Sequence, residues 1–191
     1  MVGSKHLVKS FGLKDGQVFH GYRITKCLGR GWTAEVYAAT EIATGARRAL
    51  KIFANYEGQQ LIRQQKRVST YAAALEKISD IGITPRYYHL GHAFIEDPLG
   101  NYFIVQEHVI GQPLKSGMCA QSQVDDFLEG LRQIHDEFDY VLSDWDLSNL
   151  FITEQAGIRM IDADLGTGDG LTGDCSRDYK RAEDLLKSLI R

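Results

Sequence analysis

Residues 34–53, AEVYAATEIATGARRALKIF, leave the chain few options. Two apolar stretches, Val36-Tyr37-Ala38-Ala39 and Ala49-Leu50-Lys51-Ile52-Phe53, flank the polar segment TEIATGA with a glycine at its corner. Strand-forming residues on both sides of such a segment specify an antiparallel hairpin. The preceding HGYRITKCLGRGW adds another strand, so three strands occupy 20–53. Lys51 is the odd residue in this pattern. Turned inward, its ammonium wants an anionic partner; at an edge, its stem covers apolar surface and the amine reaches water. The segment LGRGWTAEV sets Gly29 and Gly31 between the first two strands. Glycines there let backbone N–H groups approach a phosphate with no side chain in the way, although a tight hairpin alone also accounts for them.

Leu61, Val68, Tyr71, Ala72, Leu75 and Ile78 recur at helical spacing over 58–79. GITPRYYHLG breaks that helix, and NYFIVQEHVIG predicts a strand over 101–111. Val124, Phe127, Leu128, Leu131 and Ile134 predict an amphipathic helix over 122–138, with Ser122 as its cap and Asp125 three residues on. A strand at GIRMID, a loop rich in Gly, Thr and Asp over 164–177 and a last helix from Ser176 complete the chain. Strands first and helices later imply an α+β fold with two lobes.

At 191 residues with a net charge of −3 and no basic block, the chain fits one domain or two lobes and gives nucleic acid no obvious surface. Its apolar runs are too short for a membrane span, and MVGSKHLVKSFGLKDG lacks the core of a secretory signal. Cys27, Cys119 and Cys175 fit neither a disulfide framework nor a metal cluster and suggest reduced thiols. His89 and His92, spaced H-x-x-H, read as a surface turn rather than a metal site.

The segment LSDWDLSNLFIT, 142–153, places Asp144, Asp146 and Asn149 inside a strand-like run. Burying them without partners would cost several kcal/mol, which marks one carboxylate as a working group.

Together these segments resemble the protein kinase-like superfamily over roughly residues 20–190. Kinases follow a glycine loop and valine with a strand lysine; Lys51 lies fifteen residues after Val36, within A-L-K. The third glycine of the loop pattern is Ala34. The kinase catalytic loop spaces its aspartate five residues before an asparagine, which selects Asp144 rather than Asp146 before Asn149. Asp162 lies thirteen residues after Asn149, the register of the D-F-G aspartate, with Asp162-Ala163-Asp164 in that place. Asp164, in D-L-G, competes with Asp162, and period-2 alternation can bring both to one side.

The resemblance implies a truncated bilobal kinase-like fold. Its tail would cover 1–15 and one minimal kinase domain 16–191, with the N-lobe over about 16–106 and the C-lobe over about 107–191. It implies ATP and Mg²⁺ as cofactors. Gly29, Arg30, Gly31, Val36, Ala49 and Lys51 would bind the nucleotide, with Glu107 and Val109 beside adenine and Gln106 at the gatekeeper position. Asp144 would be the base, and Asn149, Asp162 and Asp164 would face the metal.

Four departures qualify the likeness. Residues 61–75 hold no acidic residue to pair with Lys51; Glu57 and Glu76 lie outside, and Gln64 or Gln65 would have to substitute. Leu142 and Ser143 replace His and Arg before the aspartate, which implies activity without activation-loop phosphorylation. Asp146 replaces the loop lysine and removes a positive charge near the γ-phosphate. The sequence has no A-P-E and stops about thirty residues after Asp162, which implies that the peptide-docking helices are missing.

Such truncation resembles minimal kinases that pathogenic bacteria deliver into host cells by type III secretion. Length and loop style favour the HopBF type over the OspG type. That likeness implies a monomeric serine/threonine kinase and virulence factor, in the bacterial cytoplasm before secretion and the host cytoplasm after it. Its host substrate would be the 90-kDa heat-shock chaperone, with a ubiquitin-conjugating enzyme as runner-up. A nucleotide-binding pseudokinase and an aminoglycoside-type small-molecule kinase remain open alternatives.

Overall fold

The computed structural model describes residues 10–54, 59–93, 101–155, 157–167 and 174–190, with the backbone alone over 59–65, at 164 and over 166–167. Residues 1–9 of the expected tail, Glu57, and 168–173 of the expected loop lie outside the described residues. The side chains of Gln64, Gln65 and Asp164 lie outside them too. The described residues have mixed α and β content: a curled antiparallel sheet, further short strands and three α-helices. It divides into two compact units, Met1–Ala72 with Tyr87–His108, and Ala73–Arg86 with Val109–Arg191.

The first unit is built on strands β1 (Val18–Phe19), β2 (Tyr22–Arg30), β3 (Ala34–Glu41) and β4 (Arg47–Phe53). Helix α1 (Gln59–Ile78) follows, and the division between units falls within it. Strands β5 (Tyr87–Ala93) and β6 (Asn101–Glu107) complete an antiparallel sheet of order β1-β2-β3-β4-β6-β5. The β3–β4 turn closes through Gly45 N–H on the Glu41 carbonyl, with Gly45 at φ +73°, which its lack of a side chain permits. Alternation assigns the two faces. Ile24, Tyr37, Ala39, Leu50, Ile52, Phe103 and Val105 join Phe19 and Tyr22 in one apolar core, against which Phe11 and Leu13 pack.

Two expectations change here. Part of the segment that breaks the helix is itself strand β5, the edge of the sheet, and β6 ends at Glu107 rather than near Gly111. His89 and His92 therefore sit in a strand, not a surface turn. Three residues apart, they face opposite sides; His89 lies against Tyr22 and Phe103, and His92 against Tyr102.

The second unit contains β7 (Gln112–Pro113), α2 (Gln121–Phe138), β8 (Tyr140–Ser143), β9 (Leu150–Thr153), β10 (Gly157–Met160), β11 (Asp164–Thr167) and α3 (Cys175–Lys187). Strands β10, β9 and β7 form one small sheet, and β11 pairs with β8. Val124, Phe127, Leu128, Leu131 and Ile134 of α2 are buried with Leu142, Leu150, Met160, Ala182 and Leu186. Each large side chain so removed from water contributes about 1.5–3 kcal/mol. Helix α2 begins before the expected Ser122: Gln123 Oε1 accepts from Ala120 N–H at 2.9 Å and satisfies a donor there. Gly130 lets α2 approach Ile83, whose Cγ2 would lie 2.7 Å from an added Cβ. The expected loop over 164–177 is interrupted by β11 and by the start of α3. Among the described residues, no helix is long and apolar enough to cross a membrane, and the three cysteines are free thiols.

Candidate functional site

In the first unit, cross-strand register sets Gly29, Val36, Ala49 and Lys51, four of the expected nucleotide-binding residues, in two neighbouring rows on the sheet face opposite the Tyr37–Leu50 core. Gly29 pairs with Val36, Val36 with Lys51, and Lys51 with Ile104. The neighbouring row runs Lys26, Ala38, Ala49 and Gln106. Lys51 is buried, only 7% exposed, so the edge-lysine reading fails. Its amine lies 4.8 Å from the centre of the Tyr71 ring and 5.6 Å from that of Phe53.

The hairpin does not itself require glycine at 29 or 31. Neither has the positive φ that favours glycine. A methyl group at Gly29 would meet nothing within 4 Å, and one at Gly31 only the Ala34 carbonyl at 3.6 Å. Gly31 N–H donates to that carbonyl and closes the turn. Beside the loop lies Glu35, a carboxylate the sequence reading passed over, only 1% exposed. It accepts from Tyr37 Oη at 2.7 Å, Phe11 N–H at 2.8 Å, Ser10 Oγ at 3.0 Å and Arg30 Nε at 3.2 Å. Burial pushes its pKa up, but these donors and the Arg30 charge outweigh it, so the net shift is down. Arg30, expected at the nucleotide, is thus tied to the base of the loop. Glu107 ends β6 opposite Arg48, and Val109 opens the second unit's longer segment. Burial, Lys26 and Arg47 lower the pKa of His108 between them.

In the second unit the run 142–153 is not one strand. Strand β8 stops at Ser143, and the backbone turns at Asp144, which has φ +71°. A non-glycine residue in that region is uncommon, and such residues cluster at functional sites. Asp144 and Asp146 are exposed rather than buried, so the burial cost inferred from the sequence does not arise. Asp146 accepts from Ser148 N–H at 2.8 Å and Ser148 Oγ at 2.7 Å, capping the 3₁₀ turn Leu147–Asn149. These bonds hold its carboxyl below the usual range. It thereby shapes the turn.

That turn aims Asn149 back at Asp144. Asn149 Nδ2 donates to the Asp144 carboxylate and to its backbone carbonyl, both at 3.2 Å. Ile161 N–H donates to the Asn149 carbonyl at 2.8 Å, which brings the exposed Asp162 beside Asn149. Asp164 pairs with Ser143, so its backbone lies next to the same loop. The backbones of four residues spread over twenty-one positions of sequence therefore converge around one turn.

Asp178 on α3 supports this loop, and no motif or spacing marks it. Its buried carboxylate accepts from Leu142 N–H at 2.8 Å and from Trp145 Nε1, and His135 Nε2 lies 2.9 Å away. The donors on either side of Asp144 are thus fixed to one helix.

Among the described residues, no group of three His, Cys, Asp or Glu side chains gathers to hold a metal ion. Asn149 and Asp162 are hard oxygen donors of the kind Mg²⁺ accepts alongside phosphate and water. With Asn149 Nδ2 turned to Asp144, Oδ1 is the amide atom suited to a cation. No protein-family model and no curated protein matches the chain.

Proposed function

We propose that the chain is an ATP- and Mg²⁺-dependent protein kinase with a truncated, bilobal kinase-like fold. The observation that carries the reading is the Asn149 amide bonded to Asp144, with Ile161 N–H on the Asn149 carbonyl. It joins two residues selected by spacing alone to the strand that leads into Asp162. The register that puts Gly29, Val36 and Lys51 in one row supports the phosphate-binding half.

In this reading Lys51 holds the α- and β-phosphates, and the N–H groups around Gly29 and Gly31 cover them. Asn149 and Asp162 would hold Mg²⁺, which neutralises charge on the transferring phosphoryl group. Asp144 accepts the proton of a serine or threonine hydroxyl while its oxygen bonds to the γ-phosphorus and ADP leaves. Asp162 takes the metal role ahead of Asp164, and the resemblance to truncated effectors supplies the 90-kDa heat-shock chaperone as candidate substrate. The competing reading, a nucleotide-binding pseudokinase, draws on the absence of acidic residues over 61–75.

Transfer of label from [γ-³²P]ATP to purified chaperone and to host lysate separates the two. Wild type should label an acceptor, and Asp144→Asn should lower the rate by about 10²–10⁴-fold, the usual worth of a positioned base. Equal transfer by wild type and Asp144→Asn would refute the assignment. Mg-ATP binding without transfer would favour the pseudokinase.

A further inference from the structure

Lys51 carries a buried ammonium, and the helix that follows its strand has no acidic residue over 61–75. Tyr71, twenty residues on, lies in that helix and is half-buried. Its ring centre is 4.8 Å from Lys51 Nζ, inside the range over which an aromatic face attracts a cation. Phe53 lies two residues along the same strand, with its ring 5.6 Å from the amine. Phe53 meets the Tyr71 ring edge-on, with centroids 6.4 Å apart and planes at 72°. An edge-to-face pair fixes both rings, so the surface presented to the ammonium is held from two sides.

We propose that Tyr71 is a positioning residue for Lys51, presenting a ring face to the ammonium from the helix that carries a carboxylate in other kinases. A ring face attracts the ammonium without occupying all three of its N–H donors, which leaves donors for phosphate oxygens. The effect of Tyr71 on nucleotide is exerted through Lys51. Its consequence for nucleotide rests on the kinase reading; its effect on the amine does not.

Two measurements on the full chain keep these apart. The first is the rate at which an amine-directed acylating reagent modifies Lys51 without nucleotide, relative to the exposed Lys115, read by mass spectrometry. The second is the Kd for Mg-ATP. Replacing Tyr71→Leu should raise the relative labelling of Lys51 and the Kd by roughly five- to thirty-fold, the factor expected from a desolvated cation–π contact. Tyr71→Phe keeps the ring and should leave both within about twofold of wild type. Tyr71→Met repeats the test with a side chain that adapts to the gap if the leucine variant does not fold. Unchanged relative labelling in a folded Leu or Met variant would overturn the proposal. So would a Phe variant that behaves like Leu, since the hydroxyl rather than the ring would then be the active part. If wild type binds no Mg-ATP, the kinase reading fails and the labelling measurement still decides the role of Tyr71.

Discussion

Replacing Asp178 with alanine should destabilise the second unit by about 3–5 kcal/mol. The carboxylate accepts from Leu142 N–H and Trp145 Nε1 and faces His135 Nε2. Leu142 is fully buried, and the His135 side chain is 6% exposed. A buried donor stripped of its partner costs about 1–3 kcal/mol. Two such groups in a dry setting and a third that water can reach, on half-buried Trp145, give the quoted range. That is a large share of the 5–15 kcal/mol that typically holds a domain together. Urea unfolding followed by Trp145 emission, in a Trp32→Phe background that leaves one tryptophan, reads this unit directly. Asp178→Asn keeps one acceptor oxygen and should lose about half as much. A loss below about 1 kcal/mol with unchanged Trp145 emission would refute the view that Asp178 anchors the loop around Asp144.

Glu35→Gln should cost about 2 kcal/mol at neutral pH, since an amide cannot accept from all the donors now on the carboxylate. The folded pKa of Glu35 lies below its unfolded value, so its stabilisation is present above the unfolded pKa and is lost as pH falls through the folded one. The gap between wild type and Glu35→Gln in thermal unfolding should therefore close on acidification below about pH 4. Gly111→Ala should cost about 1–3 kcal/mol, because the new Cβ falls on the Ile152 backbone carbonyl beside the β7–β9 pairing, which cannot rotate away. Gly91→Ala should cost a similar amount by driving a methyl group into the Phe103 ring, with Phe19 packed against it.

The strands and helices with strong period were legible. The hairpin at β3–β4 carries its turn chemistry in TEIATGA, and α2 carries five apolar residues at helical spacing. Strand β5 was not, because YYHLGHA is an edge strand, half exposed, with a glycine that exists to admit the Phe103 ring. Strand β11 was hidden for a different reason: DLGT gains its form from pairing with Tyr140–Ser143, a partner distant in sequence. The spacing of Asp144 and Asn149 survives as a hydrogen bond because a five-residue step is local. Asp178, Glu35 and Tyr71 act on residues far along the chain or on neighbours chosen by packing, and no periodicity records such contacts. The capping role of Asp146 was not legible, because it depends on the 3₁₀ turn that follows it rather than on residue type.

The most direct test of the account is the thermal stability of the purified chain with and without Mg-ATP. At a hundred times Kd, binding adds about 2.7 kcal/mol, which for a chain of this size is a rise in Tm of about 5–10 °C. Wild type should show that rise and lose it with EDTA, and Lys51→Ala and Asp162→Ala should show none. No rise in wild type, or an equal rise in both variants, would contradict the kinase reading.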